Sequence, residues 1–121
     1  MTMASTIILV VEDDMDLRDA VEWALEDSGY MVRTASNGAE ALAQLELERP
    51  DLILLDMRMP VMDGWAFARL YRRRSGHQAP IVVVTAAQDA AEWARQIQAA
   101  GYLAKPFEID QLIRTVAHHA A

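Results

Sequence analysis

The sequence predicts an α/β fold: a doubly wound, five-stranded parallel sheet of order 2-1-3-4-5 in a single domain. Three observations predict it. Residues 7–11, 52–55 and 81–84 are apolar at every position rather than at alternate ones, as strands buried on both faces of a parallel sheet require. Stretches with helical spacing lie between and after them, and strand–helix alternation is the pattern of a parallel sheet with crossovers. The chain has 121 residues, 53% of them hydrophobic, enough for one core without a disulfide or metal staple.

In order along the chain, Ile7 to Val11 form the first strand. Leu17, Ala20, Val21, Ala24 and Leu25 then recur at spacings of three and four, giving one apolar stripe on a helix. Residues 30–35 carry Arg33 and Thr34 among apolar neighbours, which suits a strand at the sheet edge. Ala39, Leu42, Ala43 and Leu45 mark the second helix. Leu52 to Leu55 is the next buried strand, followed by a third helix over 65–74. Residues 81–84 are the third buried strand and 90–99 the fourth helix; a short edge strand at 102–104 and a fifth helix over 109–117 complete the series. Gly29, Gly76 and Gly101 follow helices, and Pro50 and Pro80 precede buried strands. Pro60 and Pro106 fall just beyond strand ends, where a missing N–H breaks no ladder. With right-handed crossovers the chain leaves strand 1 in opposite directions. The crevice beyond the carboxyl ends of strands 1 and 3 is therefore the default ligand site.

Composition removes several function classes. The absence of Cys excludes disulfide scaffolds, thiolate zinc sites and cysteine nucleophiles, and it is compatible with a reducing compartment. The longest aliphatic run, residues 7–11, is far below the ~20 residues that span a bilayer. No Lys or Arg precedes it, so the N-terminus does not read as a secretory signal; a cytoplasmic location without membrane contact is expected. Eleven Lys+Arg against 18 Asp+Glu give a net charge of −7, which argues against direct nucleic-acid binding.

Chemistry gathers at the strand ends. Strand 1 runs into Glu12, Asp13 and Asp14, strand 3 into Asp56, strand 4 into Thr85, and strand 5 into Lys105 and Pro106. Glu12, Asp13 and Asp56 would share one crevice opposed by a single Lys, an excess of negative charge that calls for a cation. Hard oxygen donors favour Mg²⁺. A carboxylate beside Mg²⁺, with a hydroxyl and an ammonium aimed at the same point, is what phosphoryl transfer to an aspartate requires, with Asp56 as nucleophile. Mg²⁺, Lys105 and Thr85 could each take one phosphoryl oxygen. Singly, each residue has an ordinary explanation, such as a helix cap, a turn or a solvated charge. Four of five strand ends carrying compatible chemistry on one sheet edge outweighs those. Asp14 is assigned to capping, Asp63-Gly64 to the turn entering helix 3, and Arg72 to Arg74 to a solvated helix end. His77, His118 and His119 are given no role, and the Met residues, Met57 and Met59 included, are read as packing.

These residues resemble the receiver domain of bacterial two-component response regulators, of the CheY-like superfamily with its flavodoxin-like fold. The matching motifs are Leu9-Val10-Val11-Glu12-Asp13-Asp14, the stretch from Asp56 through Met59-Pro60 to Asp63-Gly64, Val82-Val83-Val84-Thr85-Ala86, and Tyr102-Leu103-Ala104-Lys105-Pro106-Phe107. On this reading residues 1–121 are one receiver domain with its core at about 7–117 and no output domain. Such a chain is either a stand-alone receiver or a piece of a longer protein. The resemblance implies that Asp56 accepts a phosphoryl group from a histidine kinase or histidine phosphotransfer protein, and that Glu12, Asp13, Asp56 and the backbone carbonyl of Arg58 hold Mg²⁺. It further implies that Thr85 and Lys105 contact the phosphoryl group, that Tyr102 is the switch aromatic, and that the Lys105-Pro106 bond is cis. The receiver would not be an enzyme in the ordinary sense, although it assists its own phosphorylation and autodephosphorylation. A downstream protein target or a missing output domain, and a dimer formed on phosphorylation, complete the expectations. The segment between Thr85 and Lys105 is slightly shorter than is usual in the family, which puts helix 4 in question.

Three other readings compete. A Mg²⁺-dependent aspartyl-phosphate phosphohydrolase would want an acid two residues after its nucleophile, where Arg58 stands. A flavin-binding protein would need a Gly- and hydroxyl-rich phosphate loop after strand 1, where Glu12, Asp13 and Asp14 would repel the phosphate. A degenerate receiver that only binds partners would not need Asp56, Thr85 and Lys105 together.

Overall fold

The computed structural model describes residues 6–76 and 78–120. Strands and helices alternate: β1 (Ile7–Val11), α1 (Met15–Asp27), β2 (Met31–Ala35), α2 (Gly38–Leu47), β3 (Leu52–Leu55), α3 (Gly64–Arg72), β4 (Ile81–Ala86), α4 (Ala87–Gln96), β5 (Gly101–Lys105) and α5 (Ile109–Ala120). All strand pairs are parallel, in the order β2-β1-β3-β4-β5. The uniformly apolar runs are the three central strands, as predicted. Successive side chains on a strand point to opposite faces, so each central strand feeds two cores. Leu9, Val11, Ile53, Leu55, Ile81 and Val83 pack with Phe67 and Tyr71 of α3, Ala41 and Leu45 of α2 and Ala94 of α4. Ile8, Val10, Leu52, Leu54, Val82 and Val84 pack on the other face with Val21 and Leu25 of α1 and Leu112 and Val116 of α5.

Local chemistry fixes the helix starts. Asp14 caps α1, its Oδ1 accepting from the Leu17 N–H at 3.2 Å. Asn37 accepts from the Glu40 N–H while the Glu40 carboxylate accepts from the Ser36 N–H, so α2 opens on two reciprocal bonds. Asp63 caps α3 through the Ala66 N–H at 2.9 Å. The Gly64 N–H donates to the Met57 carbonyl, and an ideal Cβ on Gly64 would stand 2.8 Å from the Met57 Cα and 2.9 Å from the Asp56 carbonyl oxygen. Only glycine allows α3 to start this close to the chain leaving β3.

Three expectations are corrected. Helix 4 forms despite the short connection, but over Ala87–Gln96 rather than 90–99. Its polar opening, Gln88 and Asp89, carries no apolar signal, and β4 leads into it through Ala86 without a side-chain cap. Ala99 and Ala100 lie beyond the helix, their N–H groups donating to the carbonyls of Ala94 and Ile81. Arg72 to Arg74 are more than a solvated helix end: Arg72 donates to the carbonyls of Ile97 and Gln98, and Arg74 pairs with Glu46 at 2.7 Å. His119 packs over Gly101, where its Nε2 would be 2.7 Å from an added Cβ. Burial and the neighbouring His118 hold the His119 imidazole below its usual pKa. His77 lies outside the described residues. No helix among the described residues is long and apolar enough to cross a membrane.

Candidate functional site

Parallel register brings the strand ends to one edge of the sheet. Val11 pairs with Leu55, Leu55 with Val83, and Ala86 with Lys105. Glu12 and Asp56, the residues that follow β1 and β3, therefore stand side by side, with Lys105 at the end of β5 facing them. Two backbone bonds seat the carboxylates: the Asp56 N–H donates to the Val11 carbonyl at 2.9 Å, and the Glu12 N–H to the Ala35 carbonyl at 3.0 Å. Thr85 is placed one step from the end of β4, beside Ala104. Glu12, Asp56 and Thr85 are only 4%, 6% and 5% exposed, the buried polar residues among those described. Asp13 is exposed at the mouth.

The ammonium has a definite first partner. Lys105 Nζ lies 2.9 Å from Glu12 Oε1 and 3.6 Å from Asp56 Oδ2, so it bonds Glu12 and faces Asp56 at a slightly longer range. The other Glu12 oxygen accepts from the Asp14 N–H at 3.1 Å, and Arg18 donates to the Glu12 backbone carbonyl at 3.0 Å. Arg18 was not singled out from the sequence, since nothing in its spacing marks it as a support for Glu12. Burial alone would lower the pKa of Lys105; the hydrogen bond and charge of Glu12, with the charge of Asp56, more than reverse this and hold it above the usual lysine value. Asp56 is pushed from 3.8 up to about 7, first by burial and then by the charge of Glu12, with Lys105 opposing. A carboxyl poised at neutrality beside two further acids is a group in need of positive charge.

Glu12, Asp13 and Asp56 each offer an oxygen, all within 4.8 Å of one another. Three oxygen donors converging beside only one ammonium fit a hard divalent cation, and the chemistry of the set suits Mg²⁺. Arg58 has its backbone at this site, its N–H reaching Asp56 Oδ1 at 3.4 Å. Its side chain leaves: the guanidinium sits 5.2 Å above the Trp93 ring on α4. Trp93 in turn meets Trp65 of α3 edge-on at 4.8 Å, and the Trp65 indole N–H donates to Gln96. Tyr102 is not brought to the crevice. It pairs with Val83 in mid-strand and is 51% exposed on the edge strand β5. The Lys105-Pro106 bond is cis.

Comparison with known proteins gives a consistent result. Residues 8–117 match the family model described as the response regulator receiver domain. The chain is 39% identical over 123 aligned positions to the DNA-binding transcriptional regulator NtrC of Escherichia coli, an alignment covering 97% of this chain and 26% of NtrC. It is 38% identical over 111 positions to the response regulator MprA of Mycobacterium ulcerans, covering 90% of this chain and 47% of MprA. The chain thus spans a quarter to a half of these curated relatives. Among solved structures, the chemotaxis response regulator CheY4 of Vibrio cholerae superposes with a TM-score of 0.85 at 34% identity, covering 93% of this chain and 97% of that one.

Proposed function

The chain belongs to the response regulator receiver domain family, and from that premise we propose that it is a phosphoacceptor in which Asp56 takes a phosphoryl group from a phosphohistidine donor. The observation that carries the proposal is the buried Asp56, set between Glu12, Asp13 and Lys105 at the carboxyl ends of the central strands. An Asp56 oxygen attacks phosphorus as the P–N bond of the donor breaks, and the departing imidazole keeps the bonding pair and takes a proton. Asp56 must react as the carboxylate, and Lys105, 3.6 Å away, favours that form. Glu12, Asp13, Asp56 and the Arg58 backbone carbonyl would hold Mg²⁺, which supplies charge neutralisation to the phosphoryl oxygens. Lys105 and the Thr85 hydroxyl bind further oxygens, and the buried strand ends keep the centre in place.

The signal is read on the surface of α4, β5 and α5. The aspartyl phosphate adds about −1.5 to −2 charge. Thr85 moves toward it, and Tyr102 turns from its exposed position into the space vacated. Turning a 1:99 equilibrium into 99:1 needs about 5.5 kcal/mol of differential stabilisation, within reach of several charge-assisted contacts. A histidine kinase or histidine phosphotransfer protein is the donor. Its approach is served by the groove of about 500 Å³ between α1 and the β5–α5 turn, lined by Leu17, Pro106, Phe107 and Ile109 beside Lys105. A target protein or output domain is the recipient, and the activated receiver dimerises. Intact-mass analysis after incubation with acetyl phosphate tests the chemistry. A single phosphoryl adduct is expected with Mg²⁺, and none with EDTA or in Asp56→Asn. An adduct that persists in the variant, or none in the wild type, overturns the proposal.

A further inference from the structure

On the face of the molecule formed by α3 and α4, a second cavity carries the opposite charge from most of the surface. It has a volume of about 260 Å³ and lies between α3 and the C-terminal turn of α4. Its walls are Trp65, Ala68, Arg69 and Arg72 on one side and Gln96, Ile97 and Gln98 on the other, with no carboxylate in the lining. Arg69 is exposed and enters no ion pair among the described residues. Arg72 uses Nη2 on the carbonyls of Ile97 and Gln98, which fixes its guanidinium at the rim and leaves its remaining N–H groups for another acceptor. In a chain of net charge −7, two guanidinium groups at one acid-free cleft form a local positive site.

The backbone there is also unusual. The Ala99 N–H donates to the Ala94 carbonyl and the Gln98 N–H to the Arg95 carbonyl, the paired closing bonds of a helix whose next residue normally is glycine. Here that residue is Gln98, at φ 54°, in the left-handed region that L side chains rarely adopt. The strained position thus presents a polar side chain to the cleft, opposite the two arginines. Residues held in such conformations concentrate at binding sites.

We propose that this cleft binds an acidic peptide segment of a partner protein, its carboxylate held by Arg69 and Arg72 and an adjacent apolar side chain lodged between Trp65 and Ile97. A peptide fits better than a free anion because Trp65, Ala68 and Ile97 give the cleft an apolar wall beside the arginines and the cleft is open. Gln98, opposite the arginines, offers amide bonding to the peptide backbone. Most of this acidic molecule repels such a segment, so the cleft also sets its orientation. The site lies apart from the phosphoacceptor crevice and does not require Asp56 to accept phosphate.

The chain carries its own reporters. Trp65 lines the cleft, Trp93 touches Trp65, and Trp23, 68% exposed on α1, is the internal control. The probe is the peptide acetyl-Asp-Glu-Leu-Asp-Glu-Leu-amide, titrated into ¹⁵N-labelled protein while the three indole N–H signals are followed by NMR. The Trp65 and Trp93 signals should move saturably while Trp23 stays, and Arg69→Glu should weaken the affinity by about tenfold or more through charge reversal while leaving the rest of the spectrum folded. The matched peptide with Lys in place of Asp and Glu should produce no shift. The proposal is overturned if all three indoles move together, if Arg69→Glu binds as well as the wild type, or if inorganic phosphate alone saturates the same shift at equal concentration, which would make the cleft a site for free anions.

Discussion

Replacing Asp56 by Asn in the metal-free protein should make it more stable at pH 8, not less. The Asp56 carboxyl, 6% exposed, is raised from 3.8 to about 7 by burial and by Glu12. The folded protein therefore holds a proton that the unfolded chain releases near pH 4. Between about pH 4 and pH 7 the folded state binds more protons than the unfolded one, so stability is lost as the pH rises and the loss is complete above about 7. A gap of about three pH units at about 1.4 kcal/mol each sets a ceiling of about 4 kcal/mol; solvent at the crevice mouth brings the expectation to about 2–3 kcal/mol. Asn is uncharged at every pH and escapes this loss. Urea unfolding in EDTA at pH 4.5 and pH 8 measures it: the two proteins should be close in stability at the acid pH and separated by that amount at the alkaline one. Adding Mg²⁺ at pH 8 should raise the wild type alone, because binding to the folded state alone stabilises it by mass action. A wild-type deficit that does not change between the two pH values would refute the electrostatic reasoning and leave a packing explanation in its place.

Other consequences follow from single contacts. Lys105→Ala removes the one charge that opposes the rise at Asp56, so the Asp56 titration followed by ¹³C-carboxyl NMR should move above about 7, and an unmoved titration would show that the ammonium at 3.6 Å is already screened out. Gly64→Ala forces a methyl group to within 2.8 Å of the Met57 Cα and 2.9 Å of the Asp56 carbonyl oxygen. It should cost about 1–3 kcal/mol by urea unfolding and slow phosphorylation of Asp56 by acetyl phosphate, since the backbone carrying that residue must shift. Gln98→Gly relieves the positive φ after α4 and should gain about 1 kcal/mol in the same assay, whereas a loss would mean that the Gln98 side chain makes contacts worth more than the strain.

Much of this protein was decided locally, and that part is legible in the amino-acid sequence. Ile8 to Val11, Leu52 to Leu55 and Ile81 to Val84 are apolar without alternation, a pattern that only a strand covered on both faces accommodates, so the central sheet and its order follow. Glu12, Asp13, Asp56, Thr85 and Lys105 stand at strand ends, and in a parallel sheet all of those ends share one edge. Caps such as Asp14 and Asp63 act within three residues and are equally local. The tertiary structure decided what depends on distance across the chain. Whether Lys105 bonds Glu12 or Asp56 turns on differences of less than an ångström between strands far apart in sequence, and register and sheet twist set those. The rise at Asp56 needs burial as well as charge, and burial exists only once the sheet and helices have packed. Arg72 looked like an ordinary cation at a helix end until α4 ended beside it and offered two carbonyls. The boundaries of α4 were hidden for the same reason: its first turn is polar and uncapped, and its last is closed by bonds from residues outside the helix. Hydrophobic periodicity is a property of neighbours in the chain, whereas charge pairing, burial and helix termination by distant groups arise only when the layers pack.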